Sequence, residues 1–150
     1  MKKLWSYIIL LVSIPIFFSC NQQKTDLAEK EIVKDGVFIH VSHGSDNPHR
    51  VLMALSLAEK MSEDKDVILY FDITGIEVLL KDGPDLSFAH FTSSKEQVQK
   101  LLDKGITIMV CPGCLKAAGK TPEDLREGIQ VADKEKFFNF TDGKILSIDY

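Results

Sequence analysis

The chain has 150 residues, 18 basic and 22 acidic side chains, and a formal charge of −4. That length suits one compact domain with a single core. The acidic balance, with no basic cluster, argues against nucleic acid as a partner.

Met1–Cys20 reads as a targeting segment outside the fold. Lys2 and Lys3 give a basic start, and Trp5 to Phe18 carries no charge. The stretch is short for a membrane span and is built like a secretory signal. It ends in Phe17-Phe18-Ser19-Cys20. A small residue before a lone cysteine resembles a bacterial lipobox, although Phe17 and Phe18 depart from the usual residues. On that reading Cys20 is the lipidation site and the first mature residue; a plain secretory signal and an uncleaved anchor are the alternatives. Cleavage before Cys20 leaves 16 basic and 22 acidic residues, a formal charge of −6. Asn21 to Asp35 is polar and reads as a tether, so the domain is expected from Gly36 to Tyr150. The expected location is a bacterial cell envelope, as a periplasm-facing or surface lipoprotein held to the membrane by its N-terminal lipid.

Val37 to Ser42 is predicted as the first strand, followed by the turn-forming loop His43 to Pro48. Asn47 is placed to cap a helix with Pro48 at its first position. That helix runs to Met61, with Val51, Leu55, Ala58 and Met61 at helical spacing. Val67 to Ile73 reads as a second strand, Gly75 to Lys81 as a short helix, and Asp82-Gly83-Pro84 as a break. Ser94 to Lys104 is predicted helical, with Val98, Leu101 and Leu102 inward and Gly105 as its stop. Ile106 to Val110 gives a third strand, and Thr121 caps a helix start at Pro122. Gly128 to Ala132 gives a short fourth strand, Glu135 to Phe140 a last helix and Lys144 to Ile148 a fifth strand. Strands alternating with helices predict an α/β three-layer sandwich with a mainly parallel five-stranded sheet. Ligands gather outside the carboxyl ends of such strands, where the loops Ser42–Asn47, Asp72–Gly75 and Cys111–Cys114 are expected to meet.

The last of these loops is Cys111-Pro112-Gly113-Cys114, between the third strand and a helical Leu115-Lys116-Ala117-Ala118. At a strand–helix junction, free backbone N–H groups and the helix dipole stabilise a thiolate, the reactive form of cysteine. CxxC in that position is a redox arrangement; a buried structural pair or an ordinary disulfide is the bland alternative. So short a loop adds little stability through chain entropy, which favours chemistry.

These residues carry a resemblance. The domain resembles the DsrE/DsrF-like family, which includes the TusD-type sulfur carriers. The match rests on the first strand and its Ser/Gly/Asp loop, the helix Arg50 to Ala58, and the strand Val67 to Asp72. It rests above all on Val110 to Gly119, then Thr121 to Leu125 and Gly128-Ile129. The resemblance implies a small α/β, flavodoxin-like domain that assembles into homo-oligomers. It also implies that the cysteine after the third strand, here Cys111, holds a persulfide and passes sulfur to a partner, so the expected partner is a sulfur donor or acceptor protein. Other members carry a second cysteine three residues on, matching Cys114. The sulfur-relay members are cytoplasmic, so their tRNA-thiolation role is not carried over to an exported chain.

Other residues near the same edge are candidates for substrate binding. Ser45 and Asp46, with Asn47, either bind a small anion or simply build the turn. Asp72 either orients a thiol or caps the next helix. His43 is a candidate for tuning a thiol, reaching Cys111 if the first and third strands are neighbours. His40 and His43 fall on opposite faces by alternation, so no metal site is assigned; no cofactor is expected. Phe137, Phe138 and Phe140 read as core or interface residues. Two alternatives to sulfur carriage remain open: a thioredoxin-like thiol–disulfide oxidoreductase, and a non-catalytic module that binds a ligand or metal.

Overall fold

A computed structural model describes residues 33–150. The predicted signal segment, the Cys20 lipidation site and most of the predicted tether lie outside the described residues. The elements are β1 (Gly36–Val41), α1 (Pro48–Met61), β2 (Asp66–Phe71), a 3₁₀ turn at Gly75–Leu79 and α2 (Ser94–Asp103). They continue with β3 (Thr107–Val110), α3 (Pro112–Ala117), a second 3₁₀ turn at Pro122–Asp124, β4 (Gln130–Val131), α4 (Lys134–Phe138) and β5 (Ile145–Asp149).

The local signals explain most of these boundaries. Asn47 caps α1 by accepting from the Arg50 N–H at 3.3 Å, and Pro48 occupies the first turn, where no N–H is needed. Gly105 ends α2 at φ +74°, a left-handed conformation that costs glycine nothing. The Gly105 and Ile106 N–H groups return to the carbonyls of Leu102 and Leu101. Lys34 and Asp35 already belong to the domain. The Lys34 carbonyl accepts from the Thr141 hydroxyl at 2.6 Å, and the Asp35 carboxylate accepts from the Lys144 N–H at 3.0 Å.

The five strands form one sheet in the order β4-β3-β2-β1-β5, and every neighbouring pair is parallel. The expected neighbourhood of the first and third strands is therefore corrected: β2 lies between them. Each strand from β1 to β4 is laid beside its predecessor in the same direction. Only β5 reverses, returning to the far side of β1, so the topological switch falls between β1 and β5 rather than beside β3.

Side-chain alternation divides the sheet into two faces. Val37, Ile39 and Val41 share one face with Val67, Leu69, Phe71, Ile108 and Val110. Val51, Ala54, Leu55 and Ala58 of α1 and Val98 and Leu101 of α2 complete that core. A fully buried Leu or Val contributes about 1.5–3 kcal/mol through loss of apolar surface to water, so this face dominates stability. Two buried polar residues there are satisfied. The Ser94 hydroxyl accepts from the Leu86 N–H at 2.8 Å, and Gln97 bonds Ser56 and the Thr92 carbonyl.

The other face is covered more thinly, by Phe137 of α4. Its ring lies 5.0 Å from both Phe38 and Tyr70. Phe138, Ile145 and Leu146 remain exposed. Among the described residues, α4 is the helix whose aromatic side chain packs on this face.

Candidate functional site

Parallel register brings the site residues into rows on the thin face. His40 pairs with Asp149 on one side and Tyr70 on the other, and Tyr70 pairs with Met109. Two residues further along, alternation puts Asp72 beyond Tyr70 and Cys111 beyond Met109. The β2–β3 ladder continues into the loop, because the Cys111 N–H donates to the Phe71 carbonyl at 2.8 Å. Cys111 therefore stands at the carboxyl edge beside Tyr70, as far forward as the sheet reaches.

Cys111 and Cys114 are both free thiols and both half-buried, whereas Pro112 and Gly113 between them are exposed. Cys111 is itself the cap of α3, its sulfur accepting from the Cys114 N–H at 3.3 Å. Burial works against a thiolate here. It is outweighed by the Tyr70 hydroxyl, the Cys114 N–H, the Cys114 thiol and the Gly113 N–H, so Cys111 loses its proton more readily than an ordinary thiol. The helix has only six residues, and the effect comes from these specific donors. The same contact pushes the Tyr70 hydroxyl up, burial being the larger cause. Cys114 shifts the other way: burial, the Cys111 contact and the charges of Cys111 and Asp72 keep it protonated, against one N–H donor.

That donor is unusual. The Ile73 N–H points at the Cys114 sulfur, 3.2 Å away, and Ile73 adopts φ +45°. A β-branched residue in the left-handed region is strained by about 1–2 kcal/mol. The neighbours enforce it. The Thr74 hydroxyl donates to the Ser42 carbonyl at 3.1 Å and to the Asp46 carboxylate at 2.8 Å. The Gly75 N–H donates to the Asp72 carbonyl, and a Cβ on Gly75 would sit 2.5 Å from the Val41 carbonyl oxygen.

His40 lies behind this front. Its Nδ1 is 2.9 Å from Asp149 Oδ1, and its Nε2 is 2.9 Å from Asp72 Oδ1. The second approach is poorly aligned for a hydrogen bond, and neither of its buried atoms has another partner; it acts as an ion pair when His40 is charged. Burial opposes that charge, but Asp72 and Asp149 outweigh it and raise the His40 pKa. The two ring nitrogens face different carboxylates. Among the described residues, no three His, Cys, Asp or Glu side chains converge as a metal would need.

The remaining sequence candidates have local partners. His43 does not approach Cys111, because β2 intervenes; its Nδ1 lies 2.5 Å from Asp46. Asp46 also accepts from the Gly44 N–H, and these bonds hold its carboxyl well below the usual carboxylate range, the His43 contact being the largest cause. The Ser45 N–H donates to Glu77. Ser45 and Asp46 thus fasten the first loop to the Ile73–Gly75 turn. Of the predicted substrate-binding residues, Asp72 alone adjoins the thiols. Tyr70 and Ile73 went unrecognised in the sequence, and His40 was considered there only as a metal ligand. Tyr70 and His40 share a face with Asp72 by simple alternation, and that signal becomes usable once β1 and β2 are known to be neighbours.

Two clefts among the described residues lie away from the thiols. One of about 550 Å³ opens at the amino edge, between Lys34, Lys65, Lys104 and Phe140. A shallow apolar groove of about 230 Å³ runs from Tyr70 along Phe137 and Phe138.

A family model described as DsrE/DsrF-like matches residues 35–142. The fold is similar to that of a protein of unknown function, MTH1491, from Methanobacterium thermoautotrophicum. That likeness has 19% identity and a TM-score of 0.53, and covers 77% of this chain and 99% of the other. It is also similar to the ychN protein of E. coli, with 14% identity and a TM-score of 0.54, covering 78% and 100%. No curated protein matches the sequence.

Proposed function

The chain belongs to the DsrE/DsrF-like family, and from that premise we propose that it accepts sulfane sulfur on Cys111 and holds it as a persulfide for transfer. One observation carries this reading. Cys111 sits at the carboxyl edge of the sheet with its sulfur accepting from the Cys114 N–H at 3.3 Å, and the neighbouring Tyr70 hydroxyl and Gly113 N–H also favour its ionised form. Those donors stabilise a thiolate, which is the form that attacks a sulfur donor. They are equally placed to hold the anionic persulfide that results. A fully parallel sheet in the order β4-β3-β2-β1-β5 and membership of this family both favour sulfur handling over a thioredoxin-like role.

The test is intact mass after one equivalent of glutathione persulfide. The Cys114→Ser chain should gain about 32 Da, one sulfur, on Cys111, and the Cys111→Ser chain should gain none. Sulfur uptake independent of Cys111 would refute the assignment.

The proposal includes a place. The Lys2-Lys3 start, the uncharged Trp5–Phe18 stretch and Ser19-Cys20 support export and lipid attachment, which would put the sulfur donor or acceptor protein in the cell envelope. Labelled palmitate should enter the chain in bacteria and be lost with Cys20→Ser. Equal labelling of both chains would exclude Cys20 as the anchor.

A further inference from the structure

A sulfur carrier needs one thiol, and this site has two, each with its own backbone donor. The Cys114 N–H serves the Cys111 sulfur, and the strained, exposed Ile73 serves the Cys114 sulfur. Strain of this kind persists where the surrounding structure over-determines it, and such outliers cluster at functional sites. Here the enforcing bonds from Thr74 and Gly75 aim one N–H at one sulfur.

We propose that the Ile73 turn makes Cys114 the resolving thiol of a sulfane-sulfur reductase, so that the site releases sulfide and ends as a Cys111–Cys114 disulfide. The inference rests on the sulfur-accepting reading above and extends it. In the first step the Cys111 thiolate attacks the terminal sulfur of a persulfide, R–S–SH. A bond forms between the Cys111 sulfur and that terminal sulfur, the bond between the two donor sulfurs breaks, and R–SH leaves with its proton. In the second step the Cys114 sulfur attacks the Cys111 sulfur. The protein disulfide forms, and the terminal sulfur leaves with the bonding pair as hydrosulfide. In sum, two protein thiols and the persulfide R–S–SH give a protein disulfide, R–SH and hydrogen sulfide: the protein is oxidised by two electrons and the sulfane sulfur reduced by two. An external dithiol supplies two electrons and two protons to reset the site.

The geometry also orders the steps. Before loading, burial, then the contact with Cys111 and the charges of Cys111 and Asp72, hold Cys114 in its protonated form. Loading moves that charge one sulfur outward. The Ile73 N–H then remains as the donor to the forming Cys114 thiolate, so the second thiol becomes competent only after the first has reacted. Ile73 touches the reacting sulfur through its backbone, and its side chain serves only to be held in the turn.

The experiment uses the full chain, reduced and freed of reductant, mixed with one equivalent of glutathione persulfide. Sulfide release and intact mass are followed together. The chain should release about one sulfide and finish about 2 Da lighter than its reduced form. Cys114→Ser should release about tenfold less sulfide and keep its added sulfur. Ile73→Gly retains the N–H but frees the turn; it should slow sulfide release severalfold while Cys111 loads at the normal rate. Ile73→Asn, which tolerates the left-handed conformation, should restore release. A native chain that keeps its added sulfur and releases no sulfide overturns this inference and leaves acceptance at Cys111 standing. Failure of even the Cys114→Ser chain to gain sulfur overturns both. Equal release rates in the native and Ile73→Gly chains would remove Ile73 from the mechanism.

Discussion

Replacing Phe71 by Ala is expected to destabilise the domain by about 3–5 kcal/mol. Among the described residues Phe71 is the largest side chain with no solvent exposure, on the α1-covered face in the core cluster with Val41, Leu55 and Val110. Removing its ring loses the transfer energy of the apolar atoms and leaves a cavity that the surrounding helices close only in part. A loss of that size is a large share of the roughly 5–15 kcal/mol that ordinary domains possess. Denaturant titration should show a lower midpoint with an unchanged slope; a cost under about 1 kcal/mol would contradict the packing described. The residue links core to chemistry, because its carbonyl accepts the Cys111 N–H. Any shift of β2 into the cavity would draw Cys111 back from the sheet edge.

Replacing Tyr70 by Phe is expected to slow alkylation of Cys111 at neutral pH by about threefold. The substitution keeps the ring against Phe137 and His40 and removes the hydroxyl, which is the first of the groups favouring the Cys111 thiolate. A hydrogen bond to a charged group is worth about 1.5–3 kcal/mol when well formed. Half-burial reduces that worth, and a less acidic thiol gains intrinsic nucleophilicity, with a Brønsted slope of about 0.4–0.5. The two corrections together leave a modest net loss of rate. The sign is fixed: without Tyr70 the Cys111 proton leaves at higher pH, so the rise of reactivity with pH moves up. Cys114, whose thiolate is opposed mainly by burial and by Cys111, should respond little or become slightly more reactive.

Much of this architecture was legible in the residues. Asn47-Pro48 announced the start of α1, Gly105 its counterpart at the end of α2, and apolar runs marked β1, β2 and β3. These signals are local, and local signals survive into the fold. The place of Cys111 and Cys114 at a strand–helix junction was legible for the same reason, since strand end, Pro112 and helix start lie within a few residues. Strand order was not legible. Nothing in the sequence of β1 or β3 states that β2 lies between them, and the expected approach of His43 to Cys111 failed on that point alone. The role of Tyr70 was hidden by the same gap, because it depends on pairing with Met109 across 39 positions of sequence. Ile73 was hidden for a different reason. Its residue type argues for a strand, and the left-handed turn is imposed by Thr74, Gly75 and their distant partners against that preference.

The central claim is that Cys111, and not Cys114, is the nucleophile. The direct measurement is the rate of iodoacetamide labelling of each cysteine in the reduced chain across pH 5 to 10, resolved by peptide mass. The account predicts that Cys111 labels first, with a midpoint below that of an ordinary thiol at about 8.5, and that Cys114 follows at higher pH. Tyr70→Phe should raise the first midpoint toward the second. Labelling of Cys114 first, or of both cysteines together with midpoints at the ordinary value, would contradict it.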